Sequence, residues 1–354
     1  MEQEYHIGID LHKKFSQVAV LNGEGEVLDN RRVDNDPSLL VQHLSPFPKE
    51  TPVTLEATIG YEWMSDLLAD NGFEVNLANP KKVRLIAEAT IKTDKVDAVT
   101  LAQLERTNFL PTAYLPPPEI RDTRELLRHR MKLVNIRKGL KNRIHAVLAK
   151  RGVLFYPIKD IFGKAGREFL SSLQLPSIYR KEVDGYLSLI DQIDSLIKKR
   201  EKEIKSQVVK ENKESQILLT IPGISYFSAL LLIAEIGDIK RFPSYKKLAS
   251  YTGLTGTLDE SADKTHQGHL KKDSNKYIRW ILIEAADHAT RKDPGLFAFY
   301  RKIARKKGEN KARVAIAHKL LISIYFMLKN NQVYQTRKPN TLPSGKPLLL
   351  SGRR

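Results

Sequence analysis

Four carboxylates in the first hundred residues have the types and positions for phosphodiester chemistry. Asp10 closes the apolar run His6-Ile7-Gly8-Ile9-Asp10, and Glu56 closes Val53-Thr54-Leu55-Glu56. Asp94 and Asp97 stand three apart in Thr93-Asp94-Lys95-Val96-Asp97, a spacing that faces one side of a helix. Short strand-like runs can hold Asp10 and Glu56 at the end of a sheet. Together the four make an acidic cage for hard divalent cations, which take oxygen ligands. Two such ions roughly 4 Å apart are the usual device for in-line displacement at phosphorus. Taken singly, Glu56 could pair with a lysine and Asp94 could cap a helix; the constellation favours the chemical reading. The expected cofactor is Mg2+, as two ions, with Mn2+ able to substitute.

Charge indicates where the phosphorus is. The 354-residue chain has a net charge of +18, unevenly spread. Residues 1–115 carry 11 Lys and Arg against 18 Asp and Glu, while the remainder carries 48 against 23. An acidic module thus leads a basic body whose field attracts polyanions. With no cysteine, disulfides, zinc fingers and thiol catalysis are excluded. His266 and His269 lack a third clustered histidine and make a weak zinc site. No signal-peptide pattern opens the sequence, and the most apolar run, residues 227–236, is too short to span a bilayer. A cytoplasmic, DNA-facing protein without a membrane partner is expected.

The elements that must position these residues follow from periodicity. Residues 5–10, 16–21 and 25–33 read as strands, with Asn22-Gly23-Glu24-Gly25 as a hairpin signal. Two further strands are expected at 53–56 and 74–78, and helices at 38–44, 61–71, 80–88 and 95–106. Three antiparallel strands followed by alternating helices and strands give a mixed sheet with flanking helices, the order of a ribonuclease H-like module over 1–115. Leu110–Pro118, with four prolines, is the expected boundary. Residues 116–212 then hold two long helices, over 120–152 and 178–210, which can pair with each other or with another subunit. The first is lined with cations, among them Arg128, Arg130, Lys138 and Lys141, and is the expected nucleic-acid contact. Residues 213–330 read as an all-α domain. It opens on Ile221-Pro222-Gly223-Ile224, a helix-hairpin-helix-like turn, and continues with helices at 227–236, 245–251, 275–291 and 311–330. Residues 331–354, with five basic residues and no acid, form an expected disordered tail. The fold class is thus α/β plus α.

The motifs resemble a known family. Gly8-Ile9-Asp10-Leu11-His12, Leu55-Glu56-Ala57 with Gly60, and Lys92-Thr93-Asp94-Lys95-Val96-Asp97-Ala98 are similar to the RuvC-like domain of the DEDD insertion-sequence transposases. That family includes recombinases guided by a bridge RNA, and pilin-gene invertases are relatives. Ile221-Pro222-Gly223-Ile224, Phe242-Pro243-Ser244, Leu248-Ala249-Ser250-Tyr251-Thr252-Gly253-Leu254, Gly268-His269-Leu270-Lys271-Lys272, Asn275-Lys276-Tyr277-Ile278-Arg279 and Glu284-Ala285-Ala286 resemble its second domain.

The resemblance implies a DNA recombinase in which a serine of the second domain attacks DNA beside the metal carboxylates of the first. Ser261 is the matching residue in Asp259-Glu260-Ser261-Ala262-Asp263. Ala262 and Asp263 replace glycines of the family pattern, and Lys271-Lys272-Asp273-Ser274 departs from its Thr-Lys-x-Gly, which makes Ser274 the competing serine. A serine hydroxyl needs a base or a nearby metal to act. Lys264, His266 and Arg279 are candidates to hold the scissile phosphate. Donor and target DNA, a structured noncoding guide RNA and a homo-oligomer, dimer or tetramer, are the implied partners. Two alternatives remain open: a Holliday-junction-resolvase-like endonuclease that uses water, and a nucleic-acid-binding protein with inactive carboxylates.

Overall fold

A computed structural model describes residues 4–87, 93–211, 213–261, 264–270 and 274–336, with backbone alone over 209–211, 256–261 and 264–270. It divides into two units, Met1–Pro116 and Pro117–Arg354.

The first unit is built on a five-stranded mixed sheet. β1 (Tyr5–Leu11), β2 (Phe15–Asn22) and β3 (Val27–Asp34) form an antiparallel meander. After α1 (Pro37–Leu44), β4 (Pro52–Glu56) joins β1 in parallel. After α2 (Tyr61–Asp70), β5 (Glu74–Ala78) joins β4 in parallel. The order β3-β2-β1-β4-β5 is that of the ribonuclease H-like module expected from the sequence. β1 is buried on both faces: Ile7 and Ile9 pack against Leu40, Leu44, Met64 and Leu68 of α1 and α2. α3 (Pro80–Ile86) and α4 (Asp94–Arg106) complete the unit.

α4 lies directly on the sheet, where Ala98 and Ala102 pack with Ala19 and Leu21. Contact is closest at Gly8. A Cβ there would stand 2.0 Å from the Ala98 carbonyl oxygen and 2.7 Å from the Ala102 nitrogen. Only hydrogen on Gly8 lets the helix backbone come this near the strand.

In the second unit α5 (Pro118–Lys150) and α7 (Ser177–Glu211) run antiparallel, with α6 (Lys164–Ser172) between them in sequence. Arg130 reaches Glu201 at 2.7 Å and Arg137 reaches Asp194 at 2.5 Å, which fixes the direction. Within the chain, then, the two long helices pair with each other. Val183, Ile190, Ile197 and Ile204 of α7 are buried at intervals of seven, the repeat of a coiled-coil seam.

The remaining helices surround α9 (Tyr226–Ile236), in which every residue from Phe227 to Ile236 is buried. α8 (Lys213–Leu219) precedes it through the Pro222-Gly223 turn. Gly223 has φ +90, and a Cβ would lie 2.6 Å from His288 Cβ, so both backbone conformation and proximity require glycine. A 3-10 turn (Ile239–Arg241) and α10 (Tyr245–Thr252) follow. The helical domain also contains a two-stranded antiparallel hairpin, β6 (Gly256–Ser261) with β7 (Lys264–Leu270), where the sequence reading has no strand. α11 (Lys276–Lys292), α12 (Pro294–Lys307) and α13 (Glu309–Asn330) close the unit. Among the described residues no helix is long and apolar enough to cross a membrane. The expected disordered tail lies, from residue 337 on, outside the described residues.

Candidate active site

The four carboxylates come together. Ile9 of β1 is opposite Leu55 of the parallel β4, so Asp10 and Glu56 follow at the carboxyl ends of neighbouring strands. Ligands of open α/β sheets bind at such ends. Asp94 and Asp97 occupy the first turn of α4, whose N-cap Thr93 accepts a hydrogen bond from the Val96 amide at 3.3 Å. The helix dipole favours negative charge there. Because α4 presses on β1 at Gly8, its acidic turn is brought beside Asp10. Asp10, Glu56, Asp94 and Asp97 line one cleft of about 610 Å³, together with His12, Arg84 and Thr100.

Burial raises the Asp10 carboxyl above its ordinary value; the nearby His12 lowers it, while Asp97 and Asp94 raise it further. His12 Nε2 lies 3.1 Å from Asp10 Oδ2 and 3.3 Å from Asp94 Oδ2. The donor set of carboxylates and one imidazole suits a divalent cation, and Asp10, His12 and Asp94 each offer an atom within 4.8 Å of the others. Crowded like charges around a partly buried carboxylate are what such an ion would relieve.

His12, Arg84 and Thr100 were not singled out by the sequence reading. Strand alternation gave a signal for His12, since it lies two residues after Asp10 and therefore on the same side of the chain. Arg84, from α3, has no equivalent signal, because nothing local ties that helix to the acidic cleft.

The second unit distributes its expected site residues differently. Ser261 closes β6 and is paired in register with Lys264, while His266 is paired with Asp259. The chain on either side is pinned: the Asn275 amide donates to the Tyr251 carbonyl at 2.8 Å, and Asn275 Nδ2 donates to Tyr251 Oη at 3.2 Å. Arg279 is half-buried on α11.

The cations of α5 have varied surroundings. Arg128 turns inward and donates to both carboxylate oxygens of buried Glu235, at 2.9 and 3.2 Å, with its guanidinium over the Tyr277 ring. Arg130 pairs with Glu201 and covers the Phe227 ring. Lys141 Nζ lies over the Phe162 ring, and Lys138 is exposed. A cationic surface that the sequence reading passed over lies on α12. Arg301, Lys302, Arg305 and Lys306 lie exposed together on one face of the helix, and no acid occurs in Pro294–Lys307.

A ribonuclease H-like sheet with carboxylates at two adjacent strand ends and on the helix across it marks the class of enzymes that act on the phosphodiester bonds of nucleic acids. Within that class, the DEDD transposase profile of the IS110 group matches residues 7–151, and the profile described as "Transposase IS116/IS110/IS902 family" matches 215–301. The chain belongs to this family and is an insertion-sequence transposase. It is 26% identical over 347 residues to the transposase for insertion sequence element IS1111A of Coxiella burnetii, covering 93% of this chain and 91% of that one. The transposase for IS1328 of Yersinia enterocolitica is 25% identical over 79% of this chain and 82% of its own. The transposase for IS1533 of Leptospira borgpetersenii is 24% identical over 94% and 98%.

Proposed function

We propose that this transposase cuts and rejoins DNA through Ser261, with Asp10, Glu56, Asp94 and Asp97 holding divalent metal, Mg2+ in the first instance. The observation that carries the reading is the convergence of four carboxylates on one cleft in a chain of this family. When bound, divalent ions would neutralise charge on the phosphate and ease ionisation of the attacking hydroxyl.

The chain's own residues supply the rest. Ser261 Oγ forms a bond to phosphorus as the bond to a DNA oxygen breaks; the serine proton passes to a base and the departing oxygen takes one up. The strand stays on the protein as a phosphoester, and attack by a second strand's hydroxyl reverses the step. One phosphoester replaces another, so rejoining needs no external energy source. Arg84 in the cleft, with Lys264, His266 and Arg279, is suited to hold phosphate oxygens. The carboxylates belong to the first unit and Ser261 to the second; the proposed assembly is a homo-oligomer, dimer or tetramer.

Lys138 of α5 and the cationic face of α12 carry the charge for backbone contacts to donor and target DNA. The inward pairing of Arg128 supports a structural role for that residue instead. A structured noncoding RNA is the proposed guide, supported by the family resemblance; sequencing the RNA that co-purifies with the full chain tests it. For the chemistry, Asp10→Ala, Glu56→Ala, Asp94→Ala and Asp97→Ala should each abolish strand cleavage in a folded protein. Full recombination by any one of them removes that residue from the site.

A further inference from the structure

His12 is anchored at the end of β1. Its backbone amide donates to the Phe15 carbonyl at 3.0 Å across the β1–β2 turn. Its carbonyl accepts from Asn35 Nδ2 at 2.7 Å, and Asn35 Oδ1 accepts from Ser16 Oγ at 2.7 Å. The imidazole packs on the Phe15 ring with centroids 4.7 Å apart, and the Arg32 guanidinium covers that ring at 3.7 Å. Three contacts thus fix the turn, the carbonyl and the ring plane. Leu11, between Asp10 and His12, is buried and sends its neighbours to the opposite side of the strand.

The result is an imidazole nitrogen aimed between two carboxylates on different elements, β1 and α4. A histidine that only neutralised acid would not need this anchoring, since a flexible lysine performs that role on most surfaces. A metal ligand needs a fixed direction, and here a pinned backbone and the Phe15 ring supply it.

The geometry points to His12 as a nitrogen ligand, with Asp10 and Asp94, to one divalent cation of the cleft, making that position prefer Mn2+ to Mg2+. The inference rests on the metal reading of the carboxylates and adds a donor that reading does not contain. Its chemical basis is ligand type: Mg2+ selects oxygen and binds imidazole poorly, whereas Mn2+ accepts a mixed oxygen and nitrogen set.

Pulsed electron paramagnetic resonance on the full chain loaded with Mn2+ tests this without any reaction. Bound Mn2+ should show modulation from a directly coordinated nitrogen, and His12→Ala should lose it while its far-ultraviolet spectrum stays that of the folded protein. Calorimetric titration should show Mn2+ affinity falling about tenfold or more in His12→Ala, with Mg2+ affinity nearly constant. His12→Gln, which offers oxygen instead, should restore binding without the nitrogen signal. Mn2+ bound in the wild type with no nitrogen coupling, or an equal loss of both metals in His12→Ala, overturns the assignment and leaves the carboxylate site standing. Failure of the wild type to bind either metal overturns both.

Discussion

Gly8→Ala tests how the fold makes the site, because Gly8 bears no reacting atom. The added Cβ would stand 2.0 Å from the Ala98 carbonyl oxygen, where about 3.5 Å is comfortable. The obstacle is backbone, so no rotamer change or substitution in α4 relieves it, and the helix must retreat by more than about 1 Å. Overpacking of this kind costs roughly 1–3 kcal/mol. The unit should remain folded with a lowered Tm. The larger effect should be chemical. α4 carries Asp94 and Asp97, and its retreat opens their distance to Asp10 and Glu56. A misplacement of about 1 Å in a reacting constellation can reduce rate by about a hundredfold. The assay is the initial rate of strand cleavage on donor DNA, paired with a melt and a far-ultraviolet spectrum. Cleavage within about threefold of wild type, in a protein whose melt is clearly lowered, would refute the argument that this contact sets the site.

Other outcomes follow from the second unit and the cleft. Glu235→Ala removes the acceptor shared by Arg128 and the Asn275 side chain, and should cost about 1–3 kcal/mol in denaturant unfolding; no measurable loss contradicts the structural role given to Arg128. Replacing Arg301, Lys302, Arg305 and Lys306 together by Gln should flatten the slope of log affinity for duplex DNA against log salt by about 3–4, at roughly 0.9 per phosphate contact. The same number of changes at Lys181, Lys198, Lys199 and Lys202 of α7, where Glu201 and Glu203 intervene, should have a much smaller effect. An equal effect from both sets removes α12 as a docking surface.

Much of the first unit was legible because its signals are local. Alternating apolar residues mark β1 and β2, Asp36 and Pro37 start α1, and the Thr93-Asp94 pair starts α4. The closing of β1, β4 and α4 around one cleft follows from strand order, so the four carboxylates were legible as a group. His12 was less so, because its meaning depends on how α4 approaches the strand.

In the second unit the long periodic helices were plain, and the hairpin was not. β6 and β7 hold Gly256, Asp259, Glu260 and Gly268, residue types that disfavour strands, and the hydrogen bonds that bracket them, between Asn275 and Tyr251, join residues 24 apart. α12 did leave a local signal: Asp293 caps the Leu296 amide at 2.9 Å with Pro294 at the first helical position. The inward turn of Arg128 was invisible, since Glu235, its partner, is 107 residues distant and set in an apolar run.

Trapping the reaction tests strand transfer through Ser261 most directly. Wild-type protein is quenched in denaturant during reaction with labelled donor DNA, and the DNA-linked peptide is identified by mass spectrometry. A covalent adduct is expected at Ser261, absent in Ser261→Ala, which should still bind DNA, and retained in Ser274→Ala. An adduct mapped to Ser274, robust recombination by Ser261→Ala, or metal-dependent cleavage that leaves free ends and no adduct would contradict it.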